Sequence, residues 1–421
     1  MKSAVFAIVA ALCLTAGTED SFLLRNVAIH PVTGPEIAGG MLLVQDGKIA
    51  ELGAKLTVPK GVKIIEGKGL HVYPGMINAA TTVGLSEIGA VRETNDVTEL
   101  GDFNPQLRSL IAINPESEHI PVTRANGITA VLTMPEGGVI SGRAALIRLD
   151  GWTWEDMAVR RDAVMHLVFP TIRSGGRGFA AGASRMPYAE ARRRYEQQVR
   201  SLREFFEQAR RYQRAKAQPG PGFRTDLKFE AMIPVLEGKL PMMITASREK
   251  AVREALEFAA KEKVKVILAG LREPGSQLDE IKKRGIPVVL PETLALPLEE
   301  DDPYDAAFTL PAELHKAGIK FAFGSFDVQF ARNIPYQAAT AVAFGLPHEE
   351  GLKSVTINPA EIFGVSDQIG SIEKGKLADL MVTDGDPLET RTQIRHLFIR
   401  GRQVDLANKH QRLYDKYLNR P

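Results

Sequence analysis

The chain has 421 residues, of which 44% are hydrophobic and 25% are charged, and its formal net charge at pH 7 is +2. This size suits a barrel of about 250 residues with a companion domain, and the composition is typical of globular proteins. A net charge so near zero argues against a general nucleic-acid binder, which would carry a concentrated basic face.

The first 17 residues are typical of a secretory signal peptide. Lys2 precedes an apolar run at 4–14, and small residues follow at 15–17. The run is shorter than the roughly 20 residues that span a bilayer, so we predict no stable membrane insertion after cleavage. We expect an exported protein, periplasmic or extracellular; a frayed helix of a cytosolic protein is the alternative. Cys13, the only cysteine, lies in this segment, so the mature chain has no disulfide.

Short strands are predicted throughout residues 20–74. The segments 22–30 and 40–49 have the composition of strands, and Asp46-Gly47 predicts a tight hairpin because both residues tolerate positive φ. Further short strands are predicted at 62–65 and 69–72.

From Pro74 onward, strand-like runs alternate with amphipathic helices such as 248–261 and 276–284. The strands are predicted at 128–133, 165–169, 242–245, 264–268, 287–290 and 320–323. This alternation indicates a parallel barrel or a doubly wound sheet. Paired strands are predicted again at 370–382 and 394–402.

An arginine-rich helix is predicted at 187–216, inside an insertion at about 175–222 that glycine-rich segments flank. Its glutamates are spaced for pairing with arginines one turn away. A solvated helix is one interpretation. A lid or an oligomer contact over the barrel mouth is the other.

Several motifs resemble the amidohydrolase superfamily, and in particular its imidazolonepropionase-like branch. The segment 74–78, Pro-Gly-Met-Ile-Asn, resembles the family's motif at the end of the first barrel strand. The turn at 46–49, the segment 358–364 and the signature at 370–380 are similar to further family motifs. The resemblance implies an α/β fold, with a (β/α)8 TIM-type barrel at about 75–364. It also implies a small β-sandwich built from residues 20–74 and 365–421.

The resemblance also shows where a metal would be held. Enzymes of this family bind a divalent metal through four histidines and an aspartate at the ends of barrel strands. The aligned positions here are Ala80, Thr82, Thr245, Ala269 and Phe326. A methyl group cannot ligate a metal, and a neutral hydroxyl is a poor ligand for zinc-type ions. We therefore predict no cofactor, although the family implies a divalent metal.

Other polar residues are candidates for a site at the barrel mouth. Glu87, in an acidic loop after the first strand, and Asp327, one residue beyond the aligned aspartate position, are the predicted catalytic groups. A one-residue slip on a strand would turn Asp327 away, so its recovery requires a bulge or a loop. The predicted substrate-binding residues are Thr82, Thr245, Ser325, Arg124 and Arg332. His166 is the one histidine predicted to face the barrel interior. A lone histidine on a strand is more often a packed, hydrogen-bonded core residue than a metal ligand.

Two functions are consistent with these features. In the first, the chain is a hydrolase of C–N bonds, in non-peptide or peptide-like amides. It would use a carboxylate as the base, or a metal held by oxygen ligands. Alternatively, it is a non-catalytic binding or partner subunit, a pseudoenzyme beside an active paralogue. Either one binds a small molecule, and a homo-oligomer is compatible with both. A fold alone does not separate them.

Overall fold

The computed structural model describes residues 20–172, 186–297 and 302–420. The predicted signal peptide and the glycines at 175–182 lie outside the described residues. Among the described residues, no helix combines the length and the apolar character needed to cross a bilayer.

The described strands are β1 (Phe22–Ile29), β2 (Ile37–Gln45), β3 (Lys48–Gly53), β4 (Lys63–Glu66), β5 (His71–Pro74), β6 (Met76–Thr81), β7 (Ile128–Thr133), β8 (Ile140–Arg148), β9 (Ala158–Val168), β10 (Met242–Thr245), β11 (Val266–Ala269), β12 (Val288–Leu290), β13 (Phe321–Phe323), β14 (Leu380–Thr383), β15 (Ile394–Ile399) and β16 (Arg402–Gln403). The α-helices are α1 (His119–Arg124), α2 (Trp154–Met157), α3 (Tyr188–Ala217), α4 (Leu227–Leu236), α5 (Glu249–Glu262), α6 (Leu278–Lys283), α7 (Ala306–Ala317), α8 (Ile334–Ala343), α9 (His348–Ser354), α10 (Ile357–Ile362) and α11 (Lys409–Leu418).

The two ends of the chain combine in one mixed sheet, called the composite sheet below. Its strand order is β16-β15-β14-β5-β1-β2-β3, with β4 paired to β1. The two chain ends meet where β14 pairs antiparallel with β5. One face buries an apolar cluster that includes Phe22, Leu24, Leu380 and Phe398.

The hairpin predicted at Asp46-Gly47 is confirmed. It joins β2 to β3, and its φ angles of 50° and 74° are both in the left-handed region. Gly47 is required for a second reason, because a Cβ there would lie 2.5 Å from the carbonyl oxygen of Arg400.

The second sheet, in the order β6 to β13, forms an α/β barrel. Its interior is an apolar cluster that includes Leu132, Leu146, Val164, Met243 and Val289. The outward side chains of the same strands pack against the helices in a larger cluster. The predicted strands from 128–133 to 320–323 are all present, with ends shifted by at most two residues, except that β9 begins seven residues before its predicted start at 165.

One barrel strand departs from the predicted parallel topology. β8 pairs antiparallel with both β7 and β9. Only residues 134–139 connect β7 to β8, and a parallel crossover needs a dozen residues or more. Gly137 and Gly138, with φ of 83° and 64°, form the turn. The barrel mouth, defined by the carboxyl ends of the parallel strands, therefore includes this β7–β8 turn.

The arginine-rich helix is present as α3, one residue later than predicted. Phe205 and Phe206 pack into the barrel's outer core. The Tyr195 hydroxyl donates to Glu254 of α5 at 2.6 Å, and Arg210 pairs with Glu262 of the same helix. Most of the other arginines are exposed to solvent. A lid or oligomer role for α3 stays a prediction.

A buried ion pair joins the barrel to the composite sheet. Arg148, the last residue of β8, lies with Nε 3.7 Å from Oδ2 of Asp379, and both side chains are buried. The backbone N–H of Arg400 donates to Asp379 Oδ1 at 2.7 Å. Burial lowers the pKa of Arg148 and raises the pKa of Asp379, while each charge opposes the shift on the other. Each charge is therefore tolerated because the other is present.

We expect Arg148→Met to lower the free energy of unfolding by about 3–5 kcal/mol, because Asp379 would be left buried without a counter-charge. Urea denaturation measures the loss, and Arg148→Met/Asp379→Leu should recover much of it. The control is Arg402→Met, which breaks the more exposed pair with Asp150 and should cost about 1 kcal/mol or less. Equal losses in the two single variants would contradict this account of the junction.

Candidate functional site

A cavity of about 1110 Å³, called the mouth cavity below, lies beside the carboxyl ends of β6, β7 and β13. Thr82 follows β6, Glu136 follows β7, and Phe326 and Asp327 follow β13; the loop at 86–100 supplies another wall. The predicted residues Thr82, Glu87 and Asp327 thus line one cavity. Function in barrels of this type sits on this face.

The first and last barrel strands are joined beside this cavity by a buried asparagine. Asn78 of β6 has no solvent exposure, and its Nδ2 donates to Ser325 Oγ at 2.9 Å. Its Oδ1 accepts from the backbone N–H of Ser325 at 3.2 Å. The backbone N–H of Phe326 donates to the Ala80 carbonyl at 2.8 Å. These bonds fix the segment 325–327 at the edge of the cavity.

The backbone at Phe326 places Asp327 in the cavity wall. Phe326 has a φ of 54°, an unfavourable conformation for a residue with a Cβ. The ring packs against the barrel's interior cluster, and the next residue reaches the cavity. The Asp327 carbonyl is held by the hydroxyls of Thr81 at 2.6 Å and Ser325 at 2.7 Å. The one-residue slip noted in the sequence therefore does not turn Asp327 away from the mouth.

Two half-buried carboxyl groups in the cavity have altered proton affinity. Burial raises the pKa of Glu136, and the charge of Asp327 raises it further. Burial also raises the pKa of Asp327, but a hydrogen bond from the backbone N–H of Phe330 at 2.9 Å opposes that shift. Such perturbed pairs are typical of acid–base sites. The sequence analysis did not single out Glu136.

Glu87 and His119 meet at the loop wall. The side chain of Glu87 accepts from Asn114 Nδ2 at 3.3 Å, and its carbonyl accepts from His119 Nε2 at 2.9 Å. Because a carbonyl only accepts, His119 carries its proton on Nε2. Both residues line the mouth cavity.

His166 lies in the barrel interior and is almost completely buried. Its Nδ1 donates to the Pro135 carbonyl at 2.8 Å, so its Nε2 accepts from the Thr245 hydroxyl at 3.0 Å. Burial lowers the pKa of His166, which favours the neutral ring. Thr245 is therefore bonded to a packed histidine. Through its Nδ1, the same histidine also binds the carbonyl of Pro135, the residue before Glu136.

Three further predicted residues lie away from the cavity wall. Ser325 is buried in the contact with Asn78. The prediction that Arg124 lies near the mouth is wrong. It donates to the Leu149 carbonyl at 3.2 Å and lies 3.7 Å from Asp150. Arg124 precedes β7, so it lies at the amino ends of the strands. Arg332 lies near His410, on the barrel's flank. Burial is the larger cause of the lowered pKa of His410, and the charge of Arg332 lowers it further.

The side chains at the aligned metal positions do not fit the family's divalent metal. Ala80 and Ala269 are fully buried in the interior cluster. A Cβ on Gly324 would lie 2.6 Å from the Cβ of Ala80, so the backbones approach closely there. Thr82 and Thr245 offer hydroxyls and Phe326 a phenyl ring. Within residues 20–172, 186–297 and 302–420, no three His, Cys, Asp or Glu side chains are grouped to hold an ion. The absence of a cofactor stays a prediction.

The chain thus has an α/β barrel with a cavity at its mouth, and comparison with known proteins indicates its family. The Amidohydrolase family model matches residues 255–405. The solved structure of an amidohydrolase from Thermotoga maritima superimposes with a TM-score of 0.79 at 25% identity, over 91% of this chain and 99% of that one. The family model, the relatives and this solved structure together support membership of the amidohydrolase superfamily.

Two curated relatives extend this finding. An imidazolonepropionase from Flavobacterium johnsoniae is 22% identical over 92% of this chain and 96% of its own length. The amidohydrolase tasK from Hapsidospora irregularis is 24% identical over 83% of this chain. The chain spans only 38% of the length of that protein.

We expect Asn78→Ala to lower the free energy of unfolding by about 2–4 kcal/mol, because it leaves buried backbone and hydroxyl groups without partners. A double-mutant cycle with Ser325→Ala, followed by urea denaturation, should give a coupling energy of at least about 1 kcal/mol. Asn126→Ala, which removes a half-buried amide bonded to the Arg332 carbonyl, is the control and should cost less. If the losses in free energy of unfolding for Asn78→Ala and Ser325→Ala were strictly additive, the two side chains would not be coupled. That result would contradict the role of their contact in closing the barrel.

Proposed function

We propose that the chain hydrolyses C–N bonds of amide substrates, peptide-like or not, in the mouth cavity. The observation that supports this most directly is the pair Glu136 and Asp327, two half-buried carboxyl groups with raised pKa values that line one cavity. The relatives named as amidohydrolases and imidazolonepropionase support the reaction class. Relation to the imidazolonepropionase-like branch is part of the proposal.

In the proposed reaction the two carboxyl groups have complementary roles. Asp327, in its ionised form, takes a proton from a water molecule as the water oxygen attacks the amide carbon. Glu136, in its protonated form, which burial and the charge of Asp327 favour, gives that proton to the leaving nitrogen as the C–N bond breaks. The products are a carboxylic acid and an amine. Proton exchange with solvent then restores both groups.

We also propose that the composite sheet belongs to a small β-sandwich domain and that residues 1–17 are removed on export. Partners beyond a small-molecule substrate, such as a second copy or an active paralogue, remain part of the proposal as well.

A non-catalytic binding subunit is the second candidate, and one observation favours it. Ala80 and Ala269, at positions where the family has metal-binding histidines, are fully buried in the barrel's apolar interior. A barrel that had lost catalysis could keep its cavity for binding while these positions became core. The substrate screen described below separates the candidates, and the zinc measurement tests the loss of the metal site that both share.

We predict that the protein purified after zinc-supplemented expression holds zinc well below one ion per chain, because hydroxyl, methyl and phenyl groups are poor zinc ligands. Elemental analysis measures the content. Addition of a chelator should leave the melting temperature unchanged. Near-stoichiometric zinc that is lost in His166→Gln would show that the chain builds a different metal site.

A screen of N-acyl amino acids, dipeptides and cyclic amides should find a substrate whose kcat falls about 10²–10⁴-fold in Asp327→Asn and in Glu136→Gln. The rate should rise with pH as Asp327 ionises and fall as Glu136 loses its proton, so Glu136→Gln should lack the alkaline decline. Glu93→Gln, an exposed change in the same loop, is the control.

Two outcomes would contradict the assignment. Full activity of Asp327→Asn would exclude it as the base and direct attention to Glu87. Absence of turnover across the screen would favour the non-catalytic candidate.

A further inference from the structure

Two histidines face each other in the composite sheet. His30 follows β1 and His71 begins β5, and these two strands pair in parallel. His30 Nε2 and His71 Nδ1 are 2.9 Å apart, which is hydrogen-bonding distance. The His30 ring also stacks on Tyr73 of β5, with 4.2 Å between the ring centroids and an interplanar angle of 4°. These side chains hold the end of β1 against β5.

A hydrogen bond between two imidazole rings restricts their protonation. One of the facing nitrogens must carry a proton and the other must be bare, because the bond needs one donor and one acceptor. The contact therefore forms when both rings are neutral or when only the donor ring is charged. When both rings are protonated, two N–H groups and two positive charges face each other, and the contact between His30 and His71 opens.

The other charged groups around His30 come from three parts of the chain. Glu36, in the loop before β2, lies with Oε2 3.8 Å from His30 Nδ1. His348, the first residue of α9, is bonded at 2.6 Å to Asp386, which follows β14. Burial is the largest cause of a lowered pKa of His30, and the charges of His71 and His348 lower it further. The charges of Glu36 and Asp386 oppose this shift without reversing it.

The backbone just after His30 has an unfavourable conformation. Val32 has a φ of 71°, in the left-handed region that β-branched residues rarely adopt. Such a conformation persists only where the surrounding contacts impose it. On one side of Val32 the histidine contact restrains the chain, and the backbone N–H of Ile372 donates to the Pro31 carbonyl at 3.2 Å. Loss of the histidine contact removes one of these restraints from a strained segment.

We propose that the contact between His30 and His71 is a pH-sensitive latch, called the histidine latch below. At neutral pH it holds the end of β1 and the segment 30–36 on β5, and in acid the second proton opens it. The bond from His348 to Asp386 survives this change, because a neutral and a charged imidazole can both donate from Nε2 to a carboxylate. The opening is therefore local, and α9 stays attached to the composite sheet.

The sign of the pH dependence follows from the lowered pKa of His30. A histidine in an open or unfolded segment has a pKa of about 6.5, so the open state binds the second proton more readily than the closed state. The closed latch is thus fully stable above about pH 6.5 and loses stability as the pH falls below that value.

Hydrogen exchange of the full protein at pH 7.5 and pH 5.0, corrected for the intrinsic exchange rates, tests the latch. Protection of the backbone amides in 28–36 should fall about tenfold at the lower pH, because each pH unit below the pKa of the open state shifts the equilibrium by up to about tenfold. The barrel strand β7 should keep its protection and serves as the internal reference.

Histidine variants locate the sensor. His30→Gln and His71→Gln each replace a titrating ring with a neutral amide that still donates or accepts. Each variant should keep its protection at pH 5.0 within about twofold of its value at pH 7.5, as expected when one ring cannot be charged. His396→Gln is the matched control, since His396 of β15 lies in the same sheet, bonds to Gln403 at 3.1 Å and also has a pKa lowered mainly by burial. It should leave the tenfold change in place.

Three outcomes would overturn the histidine latch. The first is equal protection of 28–36 in the unaltered protein at the two pH values. The second is a fall in protection that persists in both glutamine variants, which would place the sensor elsewhere. If those variants do not fold, long-range ¹H–¹⁵N spectra of the unaltered protein provide the third. At pH 7.5 one of His30 Nε2 and His71 Nδ1 should be protonated and the other bare, and finding both in the same state would contradict the contact.

Discussion

The closure of the barrel at Asn78 is the constraint on which the site depends. β6 and β13 do not form a regular ladder with each other, and the side chain of Asn78 makes the connection to Ser325 in its place. A barrel left open here would expose strand edges and lose the fixed geometry of the loop after β13. Since Asp327 is two residues from that contact, the same bonds that complete the fold also position a carboxylate of the cavity.

Charge is arranged differently at the two ends of the barrel. At the amino end, Arg148, Arg400 and Arg402 pair with aspartates and connect the barrel to the composite sheet. At the carboxyl end, the cavity gathers carboxylates that the fold does not neutralise. The first arrangement joins the two sheets, and in the second the half-buried Glu136 and Asp327 have raised pKa values. This division agrees with the usual separation of structural and functional faces in barrels.

Much of this architecture could be predicted from local sequence. The hairpin at Asp46-Gly47 follows from two residues that tolerate positive φ, and α3 from a long polar and apolar pattern of helical period. The alternation of strands and helices does not predict β8, because no helix precedes the run at 140–148. The link at 134–139, too short for a parallel crossover, is the signal in the sequence for its antiparallel pairing. Arg124 is close to β7 in sequence, which suggested a position at the mouth. It precedes that strand, however, and therefore adjoins its amino end. Glu136 could not be singled out, since its altered pKa arises from burial and from Asp327, which is distant in sequence.

The antiparallel β8 also bears on the order in which the barrel folds. Parallel strands pair only after a long crossover has closed, and this delays their contacts. β7, β8 and β9 are joined by links of only 134–139 and 149–157, and they form a meander of local contacts inside an otherwise non-local sheet. Local contacts form early in folding because little chain entropy is lost in closing them. We therefore expect the meander to form before the later strands and the two chain ends pair with it.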